Sequence, residues 1–279
     1  MKLSLSTNWC NRRIGDGRAI AEKAIELGFG ELELGFHTTL EQVAGFKAML
    51  DKIPVGSVHA FAPVPLSAPC GSPELYALAT FDAEARKMAA LQVVRNVRFA
   101  AEMGADTVVL HAGRVPCKSW LGRDPMKKRR ANGAKLLEAF KPVLAEIVPE
   151  LEKNRVTLAL ENLPYLEGFP AEWEIGDVVG EWVKAWFDTG HNRVRECRGW
   201  IAPESRTLEK SAANFAGMHL NDVEDKYDDH FAPGKGKVDF AALKYFARSV
   251  RHVVFEPAHT VSEEDLISGI QHIKSIWEA

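Results

Sequence analysis

The sequence lacks the features of secreted, disulfide-stabilised and membrane-spanning proteins. It has only four cysteines, which form no CxxC pair: Cys10, Cys70, Cys117 and Cys197. Such isolated cysteines indicate free thiols in a reducing compartment. The N-terminus has no long apolar core of a signal peptide, and no run of about 18 apolar residues predicts a membrane span. We therefore expect a cytoplasmic protein.

An excess of charge of one sign, low-complexity tracts and linkers are also absent. The net charge of −3 gives no general reason to expect nucleic acid or an anionic membrane as a partner. Hydrophobic residues make up 46% of the 279 positions, which is enough for one sizeable core. Because the composition does not shift along the chain, we expect a single domain over residues 1–279.

The chain does contain a regular alternation of short apolar runs and helical patterns. Strands are predicted at residues 3–7, 31–34, 55–59, 107–111, 156–161, 184–188, 215–221 and 252–256. Helices are predicted at residues 19–27, 40–51, 82–103, 126–153, 175–182, 204–213, 240–249 and 262–277. This alternation implies a parallel sheet, either an open doubly wound sheet or a closed barrel. Eight units favour an α/β fold, a single (β/α)8 TIM barrel with its active site at the C-terminal mouth of the strands.

Residue types that bind divalent metals stand at the ends of the predicted strands. Glu161, Asp188, His219 and Glu256 lie in the C-terminal parts of the fifth to eighth predicted strands. Any one of these alone is more often an ordinary core or surface residue, but in a barrel all strand ends face one mouth. Carboxylates with one imidazole suit Mn²⁺ or Zn²⁺ best, and Mg²⁺ or Co²⁺ also. We therefore predict a divalent metal site.

The other histidines divide into two groups. One group, with an aspartate, lies at strand ends or in mouth loops and supplies possible additional metal or substrate-binding residues: His59, His111, His191, Asp228 and His230. The second group fits the strand-end pattern poorly, and we predict that its members are not ligands: His37, His252, His259 and His272.

Three local motifs carry a resemblance to a known family. They are Asp188-Thr189-Gly190-His191, His219-Leu220-Asn221-Asp222 and Asp228-Asp229-His230, the last followed by PGKGKVD at residues 233–239. In this order they resemble the xylose-isomerase-like TIM barrel superfamily over essentially the whole chain. That superfamily includes sugar and sugar-phosphate isomerases and epimerases, inosose-metabolising enzymes and endonuclease IV.

The resemblance to the isomerases and epimerases implies a small-molecule sugar or sugar phosphate as substrate. It implies one divalent metal held by Glu161, Asp188, His219 and Glu256. Glu161 and Glu256 would take and return the proton beside the carbonyl through an enediolate. His191 would hydrogen-bond a substrate oxygen. Ketose epimerases place a substrate-binding arginine in the loop that corresponds to the segment between His219 and Pro233. This sequence has no arginine there, so the resemblance does not identify the sugar.

The resemblance to endonuclease IV implies a three-zinc phosphodiesterase as the alternative. The ligand positions of that enzyme match nine residues of this chain, which are the four predicted core ligands and the five possible additional ligands. They are His59, His111, Glu161, Asp188, His191, His219, Asp228, His230 and Glu256. In an isomerase, the five residues outside the core set could bind sugar hydroxyls instead of further metal ions. No insertion rich in aromatic residues and arginine is present to open a duplex, so nucleic acid is the less favoured partner. The sequence is compatible with a homo-oligomer and does not fix the oligomeric state.

Other features near the predicted mouth have more than one interpretation. A basic cluster after the fourth strand would contact phosphates or form the solvated first turns of a helix: Arg123, Lys127, Lys128, Arg129 and Arg130. The proline-rich loop at residues 61–73 predicts a stiff wall of the mouth. Trp120 and Trp200 lie in predicted mouth loops and are candidates for the pocket wall.

Overall fold

A closed barrel of eight parallel strands forms the centre of the computed structural model, which describes residues 2–117, 124–201 and 212–278. Each barrel strand is hydrogen-bonded to two neighbours, and the strands follow one another around the barrel in chain order. The barrel strands are β1 (Ser4–Ser6), β2 (Glu31–Leu34), β3 (Val55–His59), β4 (Thr107–Leu110), β6 (Thr157–Glu161), β8 (Val183–Asp188), β9 (Phe215–Leu220) and β10 (His252–Phe255). The predicted (β/α)8 TIM barrel is confirmed.

Helices follow the strands around the outside of the barrel. The α-helices are α1 (Gly17–Glu26), α2 (Leu40–Lys47), α3 (Ala83–Glu102), α4 (Pro125–Asn154), α5 (Ile175–Val178), α6 (Thr189–Cys197), α7 (Lys244–Ser249) and α8 (Glu263–Trp277). Asp82, Asp124 and Ser262 begin α3, α4 and α8, where each side chain accepts backbone N–H bonds of the first turn. None of the helices in the described ranges is long and apolar enough to cross a membrane.

The structure contains a helix and a strand pair that the sequence patterns did not predict. Helix α6 begins directly after β8, and a short antiparallel pair joins β5 (Gly113–Arg114) to β7 (Gly168–Phe169) above the barrel. The helix predicted at 175–182 ends early, at Val178, because the next residue is extended. The helix predicted at 240–249 begins as a 3-10 turn, Ala241–Leu243. Most of the helix predicted at 204–213 lies outside the described residues.

The barrel interior is layered beneath the mouth. A small apolar layer of Val109, Ala159, Trp186 and Val254 packs inside the barrel. A polar cluster of Glu31, Asp106 and His252, here called the floor cluster, closes the opposite end. His252 Nδ1 lies 3.0 Å from Glu31 Oε2, and its Nε2 lies 2.9 Å from Asp106 Oδ1. The apolar layer therefore separates the mouth of the barrel from the floor cluster.

Candidate metal centre

A cavity of about 350 Å³ opens at the C-terminal mouth of the barrel. Its wall includes six of the nine residues predicted as ligands: His59, His111, His191, Asp228, His230 and Glu256. The other three, Glu161, Asp188 and His219, are fully buried. The fold therefore brings all nine predicted residues to one end of the barrel.

The four residues predicted as the core ligand set face one another. One ligand atom from each lies within 4.8 Å of the others. His219 Nδ1 lies 3.2 Å from Glu161 Oε1 and 3.1 Å from Glu256 Oε2. Asp188 Oδ2 lies 3.7 Å from the same nitrogen. Three buried carboxylates around one ring nitrogen concentrate negative charge, and burial of such charge is costly without a cation. This donor set fits a divalent metal.

Asp188 belongs both to this core cluster and to the start of α6. Its Oδ1 accepts the backbone N–H of His191 at 2.7 Å, which is the N-cap bond of the helix. Its Oδ2 accepts a bond from Asn221 Nδ2 at 2.6 Å. The strand thus ends and the helix begins at one carboxylate, and the first turn carries His191 to the cavity wall.

Glu161 is shared between the core cluster and a second group. Its Oε1 faces His219, whereas its Oε2 lies 3.1 Å from His59 Nε2 and 3.3 Å from His111 Nε2. His59, His111 and Glu161 are close enough together to hold an ion of their own. Because its two oxygens point to different groups, Glu161 is the link between them.

A third group lines the cavity wall beside the other two, since His191 Nδ1 lies 3.4 Å from Glu161 Oε1. Asp228 Oδ2 lies 3.4 Å from His191 Nε2, and Asp228 Oδ1 lies 3.2 Å from His230 Nε2. Burial lowers the pKa of His191, but Asp188 and Asp228 outweigh it and raise the pKa to about 10. His191, Asp228 and His230 therefore also have the composition and spacing of a cation site.

Backbone carbonyls orient three of these histidines in the same way. Each ring presents Nδ1 to a carbonyl, which can only accept, so Nδ1 carries the proton and Nε2 is left to face a carboxylate. The distances are 3.0 Å from His59 to the carbonyl of Ala60, 2.7 Å from His191 to that of Asn162 and 2.9 Å from His230 to that of Glu256. Such outer contacts are typical of histidines that bind metals.

The two glutamates of the core cluster have opposite pKa shifts. Burial alone would raise the pKa of Glu161, but the imidazoles of His219 and His111 hold it well below its ordinary value. Burial raises the pKa of Glu256, although His219 opposes this. Asn8 Nδ2 donates a 3.0 Å bond to Glu256 Oε1 at the cavity wall. Glu256 therefore faces the cavity, and Glu161 lies beneath it.

Sequence reasoning missed Glu33, a buried residue of β2 that contacts the core cluster from below. His219 Nε2 lies 3.1 Å from Glu33 Oε1 and 3.2 Å from its Oε2. Ser57 on the neighbouring strand donates a 2.9 Å bond to Glu33 Oε2. The available signal was the ELEL pattern of residues 31–34, which places two glutamates on one face of a strand that is buried throughout.

The basic cluster after the fourth strand does not form a common phosphate surface. Arg129 is fully buried, and its guanidinium makes two 2.7 Å bonds to Glu174. It is therefore unavailable to a phosphate, and this part of the interpretation is wrong. Lys127 and Arg130 are exposed on the first turns of α4, as the solvated-helix interpretation predicted. Arg123 lies outside the described residues.

The remaining predictions for the mouth have mixed outcomes. Pro73, at the end of the proline-rich loop, lines the cavity. His37 and His259 also line it, although the sequence patterns gave neither a ligand role. Trp200 lies instead in a separate groove beside the mouth. Trp120 is outside the described part of the chain.

Comparison with known proteins adds a family and a fold. The model of a family described as xylose isomerase-like TIM barrel matches residues 21–276. An uncharacterised protein of Methanocaldococcus jannaschii is 24% identical over 203 residues, covering 71% of this chain and 72% of that protein. D-psicose 3-epimerase of Clostridium cellulolyticum H10, crystallised with D-tagatose, is similar in structure with a TM-score of 0.70, 15% identity and 100% of both chains covered. IolI, solved with a bound zinc atom, has a TM-score of 0.68 and 16% identity, with 99% of this chain and 96% of that chain covered.

Proposed function

The chain belongs to the xylose isomerase-like TIM barrel family, and from this premise we propose that it is a divalent-metal-dependent isomerase or epimerase of a sugar or sugar phosphate. The observation that carries the proposal is the core cluster of Glu161, Asp188, His219 and Glu256 beneath the mouth cavity. Epimerases are among the proteins of similar fold. A cavity of about 350 Å³ is near the lower end of the range for ligand pockets, which suits a single sugar.

The core cluster has the donors that Mn²⁺ or Zn²⁺ would use, with Mg²⁺ and Co²⁺ also compatible. When bound there, a divalent ion would polarise the carbonyl of a hydroxy-carbonyl substrate and so acidify the neighbouring C–H. Because Asp188 is held by the start of α6 and His219 by the barrel interior, these two ligands are fixed before substrate enters.

Proton transfer in this proposal belongs to the two glutamates. Glu256 lines the cavity and would take the proton from the carbon beside the carbonyl, giving an enediolate. Asn8 keeps the Glu256 carboxylate turned toward the cavity. Glu161, whose Oε1 faces the same His219 nitrogen as Oε2 of Glu256, would return a proton. His191 Nε2 faces the cavity side because Nδ1 is bonded to a backbone carbonyl, and it would hydrogen-bond a substrate oxygen.

Solvent exchange tests this proposal across a panel of candidate substrates. Metal-loaded protein is incubated in D₂O with ketoses, aldoses and their phosphate esters, and loss of the C–H signal beside the carbonyl is followed by NMR. We expect exchange with at least one compound, and a loss of about a hundredfold or more in Glu256→Gln and in Glu161→Gln. Glu31→Gln, in the floor cluster, is the folded control and should exchange at the wild-type rate. Wild-type exchange rates in both test variants would contradict the mechanism.

A zinc phosphodiesterase similar to endonuclease IV is the second candidate, favoured by one observation. Besides the core cluster, the nine side chains form three overlapping groups that could each hold an ion: His59, His111 and Glu161; His59, His219 and Glu256; and His191, Asp228 and His230. Several ions held side by side would suit cleavage of a phosphodiester. Zinc-loaded protein that nicks a duplex with an abasic site would support this candidate. D₂O exchange on a sugar without nicking would reject it.

A further inference from the structure

Glu33 is a buried carboxylate whose position is explained by the core cluster above it. Its side chain is fully buried inside the barrel, as is that of His219. The two residues lie on β2 and β9, which are not neighbours in the sheet, so their contact crosses the barrel interior. A buried carboxylate is costly unless it is well hydrogen-bonded, and its partners among the described residues are Ser57 and His219.

The two nitrogens of His219 face carboxylates on opposite sides. Nδ1 faces the core cluster, at 3.1 Å from Glu256 and 3.2 Å from Glu161, whereas Nε2 faces Glu33. A metal can use only a nitrogen that carries no proton, and a neutral imidazole carries one proton. The proton must therefore be on Nε2 if Nδ1 is to act as a ligand. Glu33 accepts from Nε2 and selects that arrangement.

We propose that Glu33 is a positioning residue, supported by Ser57, that accepts from Nε2 of His219 and so keeps Nδ1 turned toward the core cluster as the nitrogen offered to a metal. This inference rests on the proposed metal centre and names a residue beyond its ligands. Packing assists it, because the His59 ring is stacked on His219 at 5.7 Å with 7° between the planes. The Trp186 ring meets the same imidazole edge-on at 5.0 Å. Packing limits the tilt of the ring, and the contact with Glu33 fixes which nitrogen faces the core cluster.

The same strand supplies a matched control. Glu31 precedes Glu33 by two residues, belongs to the same buried face of β2 and also contacts a buried histidine. That histidine is His252 of the floor cluster, which lies below the apolar layer and away from the metal groups. Substitution of Glu31 removes a buried carboxylate of the same strand without touching a candidate ligand. Any effect specific to Glu33 therefore separates positioning from general destabilisation.

Metal titration of three proteins tests the proposal. Metal-free wild type, Glu33→Gln and Glu31→Gln are titrated with Zn²⁺ and with Mn²⁺ against a chromophoric chelator, and folding is monitored by near-UV circular dichroism. We expect Glu33→Gln to raise the Kd about tenfold or more, as loss of such outer partners commonly does. Glu31→Gln should keep the Kd within about twofold, since it leaves every ligand and its outer partner in place. Glu33→Gln keeps the side-chain size but removes the negative charge that strengthens the bond from Nε2. If it fails to fold, Ser57→Ala carries the same test with a smaller increase in Kd.

A second measurement reports the ring nitrogens directly. In zinc-saturated protein labelled with ¹⁵N-histidine, we expect His219 to carry its proton on Nε2 alone in the wild type, and a changed ¹⁵N pattern in Glu33→Gln but not in Glu31→Gln. A folded Glu33→Gln protein with the wild-type Kd and ¹⁵N pattern would overturn the positioning role alone. A wild type that binds neither metal would overturn the proposed function, and the positioning role with it.

Discussion

Adjacent residues of the same type have unrelated roles in this protein. Arg129 is fully buried, with its guanidinium bonded to Glu174 and to the carbonyls of Leu166 and Gly168. Arg130, the next residue, is exposed and lies with its guanidinium 4.2 Å from the centre of a Trp173 ring. Arg129 therefore ties α4 to the segment between β6 and α5, which supplies Tyr165 to the cavity wall.

Substitution of these two arginines should have very different effects on stability. Arg129→Ala leaves the buried Glu174 carboxylate without its cation, with the Ala171 N–H still bonded to Oε2, and takes the side-chain donor from two carbonyls, so we expect the free energy of unfolding to fall by about 3 kcal/mol or more. Arg130→Ala removes an exposed contact, which should cost less than about 1 kcal/mol. Urea unfolding of metal-free protein measures both. Equal losses in the two variants would contradict the structural role given to Arg129.

The candidate ligands could be predicted from the sequence more fully than the buried residues that hold them and the mouth segments in place. His59, Glu161 and Asp188 end their strands, and the strand ends of a barrel meet at one mouth, so their meeting could be predicted. Glu33 and the burial of Arg129 could not, because each depends on a partner far along the chain. The partner of Glu33 is 186 positions away, and no local pattern encodes that pairing.

At the scale of elements, the floor cluster joins strands that are distant in sequence. His252 at the start of β10 contacts Glu31 on β2 and Asp106 just before β4. Burial lowers the pKa of His252, but its hydrogen bonds to Asp106 and Glu31 outweigh this and raise it. Burial would raise the pKa of Glu31, yet the bonds from His252 and Lys2 lower it to about 2.

These shifts predict a stability maximum in mildly acidic solution. The raised pKa of His252 stabilises the fold below its ordinary value of 6.5, and this contribution is lost as pH rises through the folded-state pKa. The lowered pKa of Glu31 stabilises the fold above 4.5, and this contribution is lost as pH falls toward about 2. The difference in unfolding free energy between wild type and His252→Gln should therefore be largest between these values. Denaturant titrations of metal-free protein across pH check this, and a difference independent of pH would contradict it.

The element pattern was largely predictable, and among the departures helix α6 has a clear physical reason. The bounds of β2 and β3 agree with the sequence expectation, since Gly30 and Gly35 flank β2 and Pro54 precedes β3. Helix α6 was missed because no loop separates it from β8. Asp188 ends the strand and caps the helix, so the usual turn signal is absent.

At the scale of the whole molecule, the barrel explains why one mouth collects so many ligand types. Closure directs the ends of all eight strands to the same place, and the candidate ligands come from strands and loops along most of the chain. The fold class followed from counting strand–helix units. The reaction did not, because sugar chemistry and phosphodiester cleavage can both use the same strand-end residues.

Elemental analysis of protein purified without chelator tests the central claim most directly. If the core cluster is a metal centre, wild type should carry at least about one equivalent of Mn²⁺ or Zn²⁺ per chain, and His219→Ala should lose most of it. About one ion per chain agrees with the isomerase or epimerase, whereas about three zinc ions would favour the phosphodiesterase. Wild-type protein that retains no divalent metal, and binds none when Mn²⁺ or Zn²⁺ is supplied, would contradict the account.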